Sequence, residues 1–317
     1  MKQNQVVAGH LLIIFTQVVL GLNIPVTRDI LLNYLSPFAY IGIRAAVTAL
    51  FFWIVQIFAK KQKIERKDFM LILLGGFLGF IFSQYLTSLS LKYTTPVYFS
   101  LILALSPVVV LILQSIFFNE KITKRKMLGI AFGIFGAAIL AVRAAMEAGA
   151  QGSNNLLGIL FAIVSVSSFA GYVVICADIS RKYHAVTQMK WIFSLSAFLV
   201  CPYWVLSGTY LTEPIHASPA IGRGITEIAF LIIFATIAVY ILIPIGMRTV
   251  SAAVVSIYMN LQPIVASITA ILIGMDVFTW DKAIALVFVL LGAYIVTSDK
   301  NKDKDKVKAI EIKKSSN

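Results

Sequence analysis

The sequence predicts an all-α integral membrane protein with ten transmembrane helices, arranged as two inverted repeats of five helices each. Three observations predict this fold: the composition, the spacing of the apolar segments and an internal sequence match. Of the 317 residues, 59% are hydrophobic and only 13% are charged, whereas soluble domains carry about 25% charged residues. Most of the surface of the folded chain is therefore expected to face lipid rather than water.

Ten apolar segments are long enough to cross a bilayer, which takes about 20 helical residues. They are predicted at 6–27, 36–59, 69–90, 97–118, 127–146, 156–180, 187–208, 225–247, 251–274 and 281–298. The two cysteines, Cys176 and Cys201, lie inside apolar segments, and their spacing indicates neither a disulfide framework nor metal binding. We predict no cofactor and no metal site.

Basic residues cluster between the apolar segments and predict the orientation of the chain. With the N-terminus in the cytoplasm, 21 Lys and Arg residues fall on the cytoplasmic side and five on the other, while Arg44 lies within a span. This bias follows the positive-inside rule. It predicts that both termini are cytoplasmic and that the protein inserts into a bacterial inner (plasma) membrane. The net charge of +13 therefore indicates membrane topology rather than binding to nucleic acid.

An internal match relates the two halves of the chain. A shift of 156 residues places several residues, without a gap, on identical partners: Ser100/Ser256, Pro107/Pro263, Lys126/Lys282, Phe132/Phe288 and Gly136/Gly292. Because the shift spans five helices and five is odd, the second copy is expected to enter the membrane inverted. We predict one repeat at 1–150, a second at 151–298 and a Lys-rich cytoplasmic tail at 299–317.

Several short motifs lie along the chain, and one of them, a proline run that ends in a carboxylate and is followed by glycine, occurs in both copies. They are Gly21-Leu22-Asn23, Arg44, the run from Pro107 to Glu120, the glycines 129, 133 and 136, and a second run from Pro263 to Asp276 followed by Gly292. In this order they resemble the drug/metabolite transporter superfamily, specifically its EamA-type ten-helix members. The chain departs from that family at Leu20, where Trp is common, and at Asp276, where Glu is usual. The resemblance implies export or uptake of small metabolites, often amino acids, without ATP hydrolysis.

The leading functional prediction is a secondary transporter that works by alternating access around a site between the inverted repeats. The sequence contains no Gly-x-x-x-x-Gly-Lys-Ser/Thr loop for ATP. One alternative is a membrane-embedded enzyme, but three histidines without a metal-binding spacing leave few catalytic groups. The other is a membrane scaffold or accessory protein, which would need no central polar cavity. The predicted partners are a small-molecule substrate and the lipid bilayer.

Arg44 is the main candidate for substrate binding. It lies about eight residues into the second predicted span, where a charge is costly and usually faces a cavity or a partner. It either holds a substrate carboxylate or phosphate or forms a structural ion pair. Other polar side chains in the spans predict either an aromatic-rich cavity or hydrogen bonds between helices. These candidates are Asn23, Gln84, Tyr85, Tyr98, Tyr172, Tyr240, Tyr258, Asn260 and Gln262.

Three prolines within spans, Pro25, Pro107 and Pro263, are candidate hinges or static kinks. The deep part of the first span contains no carboxylate, which disfavours exchange of organic cations for protons. We therefore predict a neutral or zwitterionic substrate, or an anionic one if Arg44 faces the pore.

Three carboxylates near span ends, Glu120, Asp178 and Asp276, are candidates for ion coupling, although a structural contact is the favoured interpretation. Gly75-x-x-x-Gly79 and Gly129-x-x-x-Gly133 permit close contact between helices. They are expected to pack helices within the monomer, with a homodimer as the alternative.

Overall fold

Long helices joined by short links make up the described part of the chain. The structure, a computed structural model, describes residues 3–59, 62–118, 122–146, 154–176, 179, 182–207, 218–246, 249–250, 255 and 258–315. Within these residues there is no β-strand. Side chains at the far ends of the chain, and around residues 203–220, are not part of this description.

Ten helices follow one another in the described residues. The first five are α1 (Gln3–Asn33), α2 (Pro37–Phe58), α3 (Arg66–Tyr93), α4 (Pro96–Leu103 with Ser106–Phe118) and α5 (Lys124–Met146). The second five are α6 (Asn155–Ile175), α7 (Ala185–Ser207), α8 (Ser218–Ile232 through Val239–Gly246), α9 (Leu261–Leu272) and α10 (Trp280–Ser315).

Nine of the described helices are long and apolar enough to cross a membrane, and α9 is a shorter apolar helix. The prediction of an all-α, ten-helix membrane protein is confirmed. Most of the predicted ninth span before Leu261, namely 251–254 and 256–257, lies outside the described residues. The predicted tail, 299–317, continues α10 as helix up to Ser315.

Two helices contain a π-helical turn, and the two turns occupy equivalent places in the repeats. The turn in α3 is Phe77–Phe82 and the turn in α8 is Ile233–Ala238, so their first residues are 156 positions apart. A π-helical turn changes which carbonyl groups are bonded within the helix. In α3, the carbonyl of Leu78 accepts a hydrogen bond from Ser168 Oγ of α6 at 2.7 Å. Such turns occur frequently at functional sites.

The duplicated prolines lie where helices begin. α4 is interrupted at residues 104–105, and its second segment starts at Ser106, one residue before Pro107. α9 starts at Leu261, two residues before Pro263, after a turn at residues 259–260. Proline is tolerated in a first helical turn because its missing N–H has no partner there. α1, in contrast, runs through Pro25 without interruption.

Equivalent helices of the two repeats pack antiparallel. A Cβ atom added to Gly129 in α5 would meet Val296 in α10, whereas one added to Gly136 would meet Val289 and the Ala285 carbonyl. Contacts therefore move toward the start of α10 as the chain advances along α5. α2 and α7 follow the same rule, since Gly42 contacts Cys201 while Gln56 contacts Thr187. This packing confirms that the repeats are inverted.

One aromatic pair marks the axis that relates the two repeats. The rings of Phe132 in α5 and Phe288 in α10 stack with centroids 5.7 Å apart. The 156-residue shift relates these two residues to each other. A residue that contacts its own repeat equivalent must lie next to a pseudo-two-fold axis, because the rotation exchanges the two.

The glycine motifs pack helices within the monomer. Added Cβ atoms on Gly75 and Gly79 would collide with Tyr172 of α6, and the first of them also with Cys176. Gly129 lies against Gly292 of α10, with backbone atoms closer than an added Cβ atom would allow. The described contacts of these glycines therefore lie inside the monomer.

The packed interior forms two main apolar clusters. Cluster A includes Leu31, Tyr40, Ile41, Ile102 and Ile159, and cluster B includes Ala45, Ile72, Phe80, Ile192 and Phe193. Cluster A lies toward the end of the bundle where α1 ends, and cluster B toward the end where α3 begins. The outer surface is also apolar, with exposed side chains such as Phe58 and Phe198. Lipid, not water, suits such a surface.

Candidate functional site

Arg44 connects the two repeats near the middle of the bundle. The guanidinium of this partly buried residue lies between α3 and α8. Its Nε donates to Thr236 Oγ1 at 3.0 Å, and its Nη1 donates to Gln84 Oε1 at 3.1 Å. Arg44 has five N–H groups, and these two neutral side chains use two of them.

Each partner of Arg44 is the repeat equivalent of an aromatic residue at the same site. Thr236 lies within the π-helical turn of α8, and Gln84 follows the π-helical turn of α3 by two residues. The 156-residue shift relates Phe80 to Thr236 and Gln84 to Tyr240. Phe80 and Tyr240 contact each other across the halves, with ring centroids 6.4 Å apart. The rotation that relates the repeats therefore exchanges the pair of Phe80 and Tyr240 with the pair of Thr236 and Gln84, which Arg44 bridges. The site accordingly lies on the pseudo-two-fold axis, with Arg44 on one side and the two aromatic rings on the other.

A small cavity adjoins Arg44. It is lined by Tyr40, Ile41, Arg44, Ala45, Phe80, Gln84, Phe193 and Ser196. Its volume is about 10 Å³, which is room for about one water molecule, whereas pockets for drug-sized ligands measure about 300–1,000 Å³. Tyr40 and Ile41 belong to cluster A, while Phe80 and Phe193 belong to cluster B. This small cavity thus lies between the two apolar clusters.

Four of the predicted site residues lie at or beside this cavity. Arg44 and Gln84 line it, and Tyr240 contacts both Phe80 and Phe193. The rings of Tyr172 and Phe80 meet edge to face, with centroids 5.4 Å apart.

Asn23 reaches the same wall of the cavity indirectly. Its Oδ1 accepts from Thr27 Oγ1 at 3.4 Å, and the Thr27 hydroxyl is 3.3 Å from Tyr40 Oη. The structure thus brings one polar residue of α1 toward the cavity through two hydroxyl groups.

The remaining polar candidates make contacts elsewhere. Tyr85 packs on Phe38 with ring centroids 4.7 Å apart. The other described contacts are Tyr98 with Lys282, Tyr258 with His10 at 2.9 Å, and Gln262 with Gln17 at 2.5 Å. Asn260 precedes α9 without a side-chain capping bond. For Tyr258 and Gln262, the alternative expectation of hydrogen bonds between helices describes the structure.

Sequence reasoning missed Tyr40, Thr236, Phe80 and Phe193. A threonine or phenylalanine within an apolar span carries little signal of its own. Tyr40 lies one helical turn before Arg44, so helical spacing could have identified it. The 156-residue shift, extended back from Ser100, could have paired Phe80 with Thr236.

Asp276 belongs to a separate buried ion pair. Its Oδ1 accepts from Lys282 Nζ at 2.7 Å and from the backbone N–H of Val277 at 2.7 Å, and its Oδ2 accepts from Thr95 Oγ1. The side chains of Asp276 and Lys282 are 0% and 7% exposed. The Lys282 ammonium also lies over the Tyr98 ring, 4.9 Å from its centroid. Asp276 thus makes the structural contacts expected of a carboxylate at a helix end.

The other two carboxylate candidates, Glu120 and Asp178, lie outside the described residues. The repeat relates the pair Asp276 and Lys282 to Glu120 and Lys126. Lys126, like Lys282, is almost fully buried. Both copies therefore bury a lysine near the start of their fifth helix.

An ion-pair cluster joins the repeats at the end of the bundle where α3 begins. In this α3–α6 cluster, Lys182 Nζ lies 2.7 Å from Asp68 Oδ2 and 2.9 Å from Glu65 Oε1. Tyr183 Oη also donates to Asp68 Oδ2 at 2.8 Å. The hydrogen bond with Asp68, and to a smaller extent the hydrogen bond with Glu65, raises the pKa of Lys182 above its ordinary value.

A second ion-pair cluster joins the repeats at the opposite end of the bundle. In this α1–α8 cluster, Arg223 Nη2 lies 3.0 Å from Asp29 Oδ2, and Arg223 Nε lies 2.9 Å from Glu227 Oε1. The first cluster connects the start of α3 with the segment that follows α6, and the second connects the start of α8 with the end of α1. The two clusters are therefore counterparts under the inverted repeat.

Ten apolar helices in two inverted repeats around a polar site are typical of polytopic membrane transporters. The model of the EamA-like transporter family matches residues 7–142 and again 156–298. The chain belongs to this family. The finer boundaries, 1–150 and 151–298, stay a prediction.

Relatives from archaea and bacteria support the same class. A protein of Archaeoglobus fulgidus named an uncharacterized transporter is 25% identical over 83% of this chain and 90% of its own length. The uncharacterized transporter YvbV of Bacillus subtilis is 22% identical over 94% of both chains. A crystal structure with a TM-score of 0.59 and 16% identity covers 95% of this chain and 99% of its own, which supports the fold alone. The protein is accordingly an integral membrane transporter of a small molecule.

Proposed function

We propose that this protein is a secondary transporter of small metabolites that carry a carboxylate group, amino acids among them. Arg44 is the observation that carries the proposal. It is a cation near the axis between two inverted repeats, and its described hydrogen-bond partners are neutral. A charge inside a membrane protein is costly unless a partner compensates it. A substrate carboxylate would supply that partner through paired hydrogen bonds.

The aromatic side of the site suggests where the rest of the substrate binds. Phe80, Phe193 and Tyr240 form mutual edge-to-face or tilted contacts beside the cavity. An apolar or aromatic part of a metabolite would pack on these rings while its carboxylate faces Arg44. This division favours zwitterionic or anionic metabolites over organic cations, which Arg44 would repel.

Alternating access is supported by the two ion-pair clusters. Both ion-pair clusters are formed, and the cavity beside Arg44 is small. Opening one cluster and its adjacent apolar cluster would admit substrate from one side while the other side stays closed. The π-helical turns and the interruptions before Pro107 and Pro263 lie at equivalent places. They are suitable positions for helices to bend.

The proposed topology places both termini in the cytoplasm, so the α3–α6 cluster would close the cytoplasmic side. The α1–α8 cluster would then close the opposite side. With no nucleotide-binding loop in the sequence, the energy for net transport would come from the gradients of substrate and co-transported ions.

Transport assays in proteoliposomes test the proposal. Purified protein is reconstituted and offered a panel of radiolabelled amino acids and other carboxylates, with matched amines lacking the carboxylate. We expect flux of at least one carboxylate and none of its matched amine. Arg44→Gln should lower that flux about 10- to 100-fold, because a hydrogen bond to a charged group contributes about 1.5–3 kcal/mol.

The control is Arg143→Gln, which removes an arginine from a surface ion pair with Asp281 and should leave flux unchanged. Full carboxylate flux in Arg44→Gln would contradict the assigned role of Arg44. The absence of flux of any metabolite under any gradient would favour the scaffold alternative.

A further inference from the structure

A surface cleft lies far from Arg44, at the end of the bundle that contains the α3–α6 cluster. Its volume is about 310 Å³, and it is bounded by the end of α2, the link to α3 and the start of α7. The lining residues are Gln56, Gln62, Ile64, Phe69, Lys190 and Trp191. We call this feature the Lys190 cleft.

Aromatic rings hold the Lys190 ammonium in place. Lys190 Nζ lies 4.5 Å from the centroid of the Trp53 ring and 4.9 Å from that of Trp191. Trp53 Nε1 donates to Ser194 Oγ at 2.9 Å. The rings of Phe69 and Trp191 meet edge to face, with centroids 5.1 Å apart. Cation–π contacts orient an ammonium over the face of a ring. The Lys190 ammonium is therefore positioned on an aromatic wall of the cleft.

The link between α2 and α3, which bounds the cleft, has a basic sequence. Between positions 60 and 68 the sequence contains five Lys and Arg residues and two acidic residues. Both acidic residues, Glu65 and Asp68, are already paired with Lys182. The sequence of this link therefore carries an excess of positive charge, which complements an anionic ligand.

The cleft lies at the level expected for lipid headgroups. Ile57 and Phe58, at the end of α2, are 73% and 87% exposed, and Trp53 one turn earlier is 46% exposed. Exposed aliphatic and aromatic side chains followed by a basic loop are typical of the boundary between hydrocarbon and water. A ligand in this cleft could therefore have both a charged head and apolar chains.

We propose that the Lys190 cleft binds the headgroup of an anionic phospholipid from the leaflet adjoining the basic loops. Lys190 attracts the phosphodiester, and the acyl chains lie along Trp53, Ile57 and Phe58. Basic pockets between transmembrane helices on the cytoplasmic side bind such headgroups in other membrane proteins. Gln62, which lines the cleft, also accepts from the backbone N–H of His184 at 2.7 Å. Bound lipid therefore stabilises this hydrogen bond, which joins the link before α3 to the segment after α6.

Native mass spectrometry of the full-length protein in detergent tests this site directly. Wild type is incubated with phosphatidylglycerol or with phosphatidylcholine of the same acyl chains, and bound lipids are counted. Wild type should retain more phosphatidylglycerol. Lys190→Gln should reduce that preference about fivefold, because a basic side chain near the membrane contributes about that factor toward anionic lipid. Lys92→Gln, at an exposed lysine on the opposite end of the bundle, should bind like wild type.

Circular dichroism melts without added lipid establish that each variant is folded, and Lys190→Arg, which keeps the charge, provides a second folded comparison. Equal retention of the two lipids by wild type would overturn the proposal. An unchanged preference in Lys190→Gln, with its fold intact, would do the same. Competition by millimolar inorganic phosphate that removes the preference would show a phosphate site instead of a lipid site. None of these results depends on transport through the Arg44 site.

Discussion

Two cations inside the bundle, Lys282 and Arg44, have different surroundings. Lys282 lies against Asp276 at 2.7 Å, in a pair that Thr95 and a backbone N–H complete. Arg44 donates to the neutral side chains of Gln84 and Thr236. In the first arrangement the ammonium already has a carboxylate as its counterion. The second places a positive charge beside a cavity at the repeat axis.

The buried pair leads to a prediction about stability. Asp276→Asn should lower the unfolding free energy by about 3–5 kcal/mol, because it removes the charged partner of the buried Lys282 ammonium. The measurement is thermal unfolding in detergent, followed by tryptophan fluorescence.

The matched control is Asp281→Asn, which disrupts a half-exposed pair with Arg143 at 3.6 Å and should change stability by only about 0–1 kcal/mol. Equal effects of Asp276→Asn and Asp281→Asn would show that burial of the first pair does not matter.

At the level of helices, close contact between α5 and α10 depends on small residues. A Cβ atom added to Gly292 would lie 2.7 Å from the backbone oxygen of Gly129 and 2.7 Å from the backbone nitrogen of Gly133. Backbone atoms cannot rotate away as a flexible side chain can. The helices would have to move apart, and this would weaken the packing around Phe132 and Phe288.

Gly292→Ala should therefore destabilise the protein by about 1–3 kcal/mol, the usual range for overpacking. Gly171→Ala in α6 is a matched control, since nothing lies within 4 Å of an added Cβ atom there. That change should be neutral or stabilising by up to about 1 kcal/mol, because alanine favours helix over glycine. Melts of both variants in the same detergent compare them, and a Gly292→Ala protein as stable as Gly171→Ala would contradict the packing argument.

For the whole molecule, an ion-pair cluster joins the two repeats at each end of the bundle. Asp68 pairs with Lys182 at one end, and Asp29 pairs with Arg223 at the other. If these pairs are counterparts in an alternating mechanism, loss of either one should favour opening at its own end. The effects of the two losses should therefore be opposite in direction.

Labelling of a cavity cysteine tests this expectation. Ser196→Cys is introduced into a protein whose Cys176 and Cys201 are replaced by alanine, and a membrane-impermeant maleimide is applied from either side. Lys182→Gln should raise labelling from the side of the basic loops about two- to fivefold, and Arg223→Gln should raise labelling from the other side. These factors correspond to ion pairs that contribute up to about 1 kcal/mol. Increased labelling from the same side in both variants would refute alternation.

The pH dependence of the α3–α6 cluster follows from Lys182. Because its pKa is raised in the folded protein, its contribution is fully present below the ordinary lysine pKa and is lost only as pH rises through the raised value. Deprotonation of Lys182 should therefore not open this end between about pH 6 and 9, and labelling of the Ser196→Cys protein from that side should stay constant over this range.

Sequence alone determined the class of fold and much of its symmetry. Segment length, the distribution of basic residues and the odd number of helices in the shift are properties read along the chain. They indicated ten spans, and the antiparallel packing of α5 on α10 agrees with the predicted inversion. Arg44 and Gln84 could also be nominated, because a polar group in an apolar span is conspicuous.

Only the tertiary structure decided which polar groups meet. Tyr98 and Tyr240 look alike as tyrosines within apolar spans, yet Tyr98 packs under Lys282 while Tyr240 lies beside the cavity. Membrane helices are apolar on both their lipid-facing and packed sides, so the sequence contains little information about how each helix rotates about its axis. That rotation is fixed by side-chain packing, which brought Thr236 of α8 to Arg44 of α2, 192 residues away.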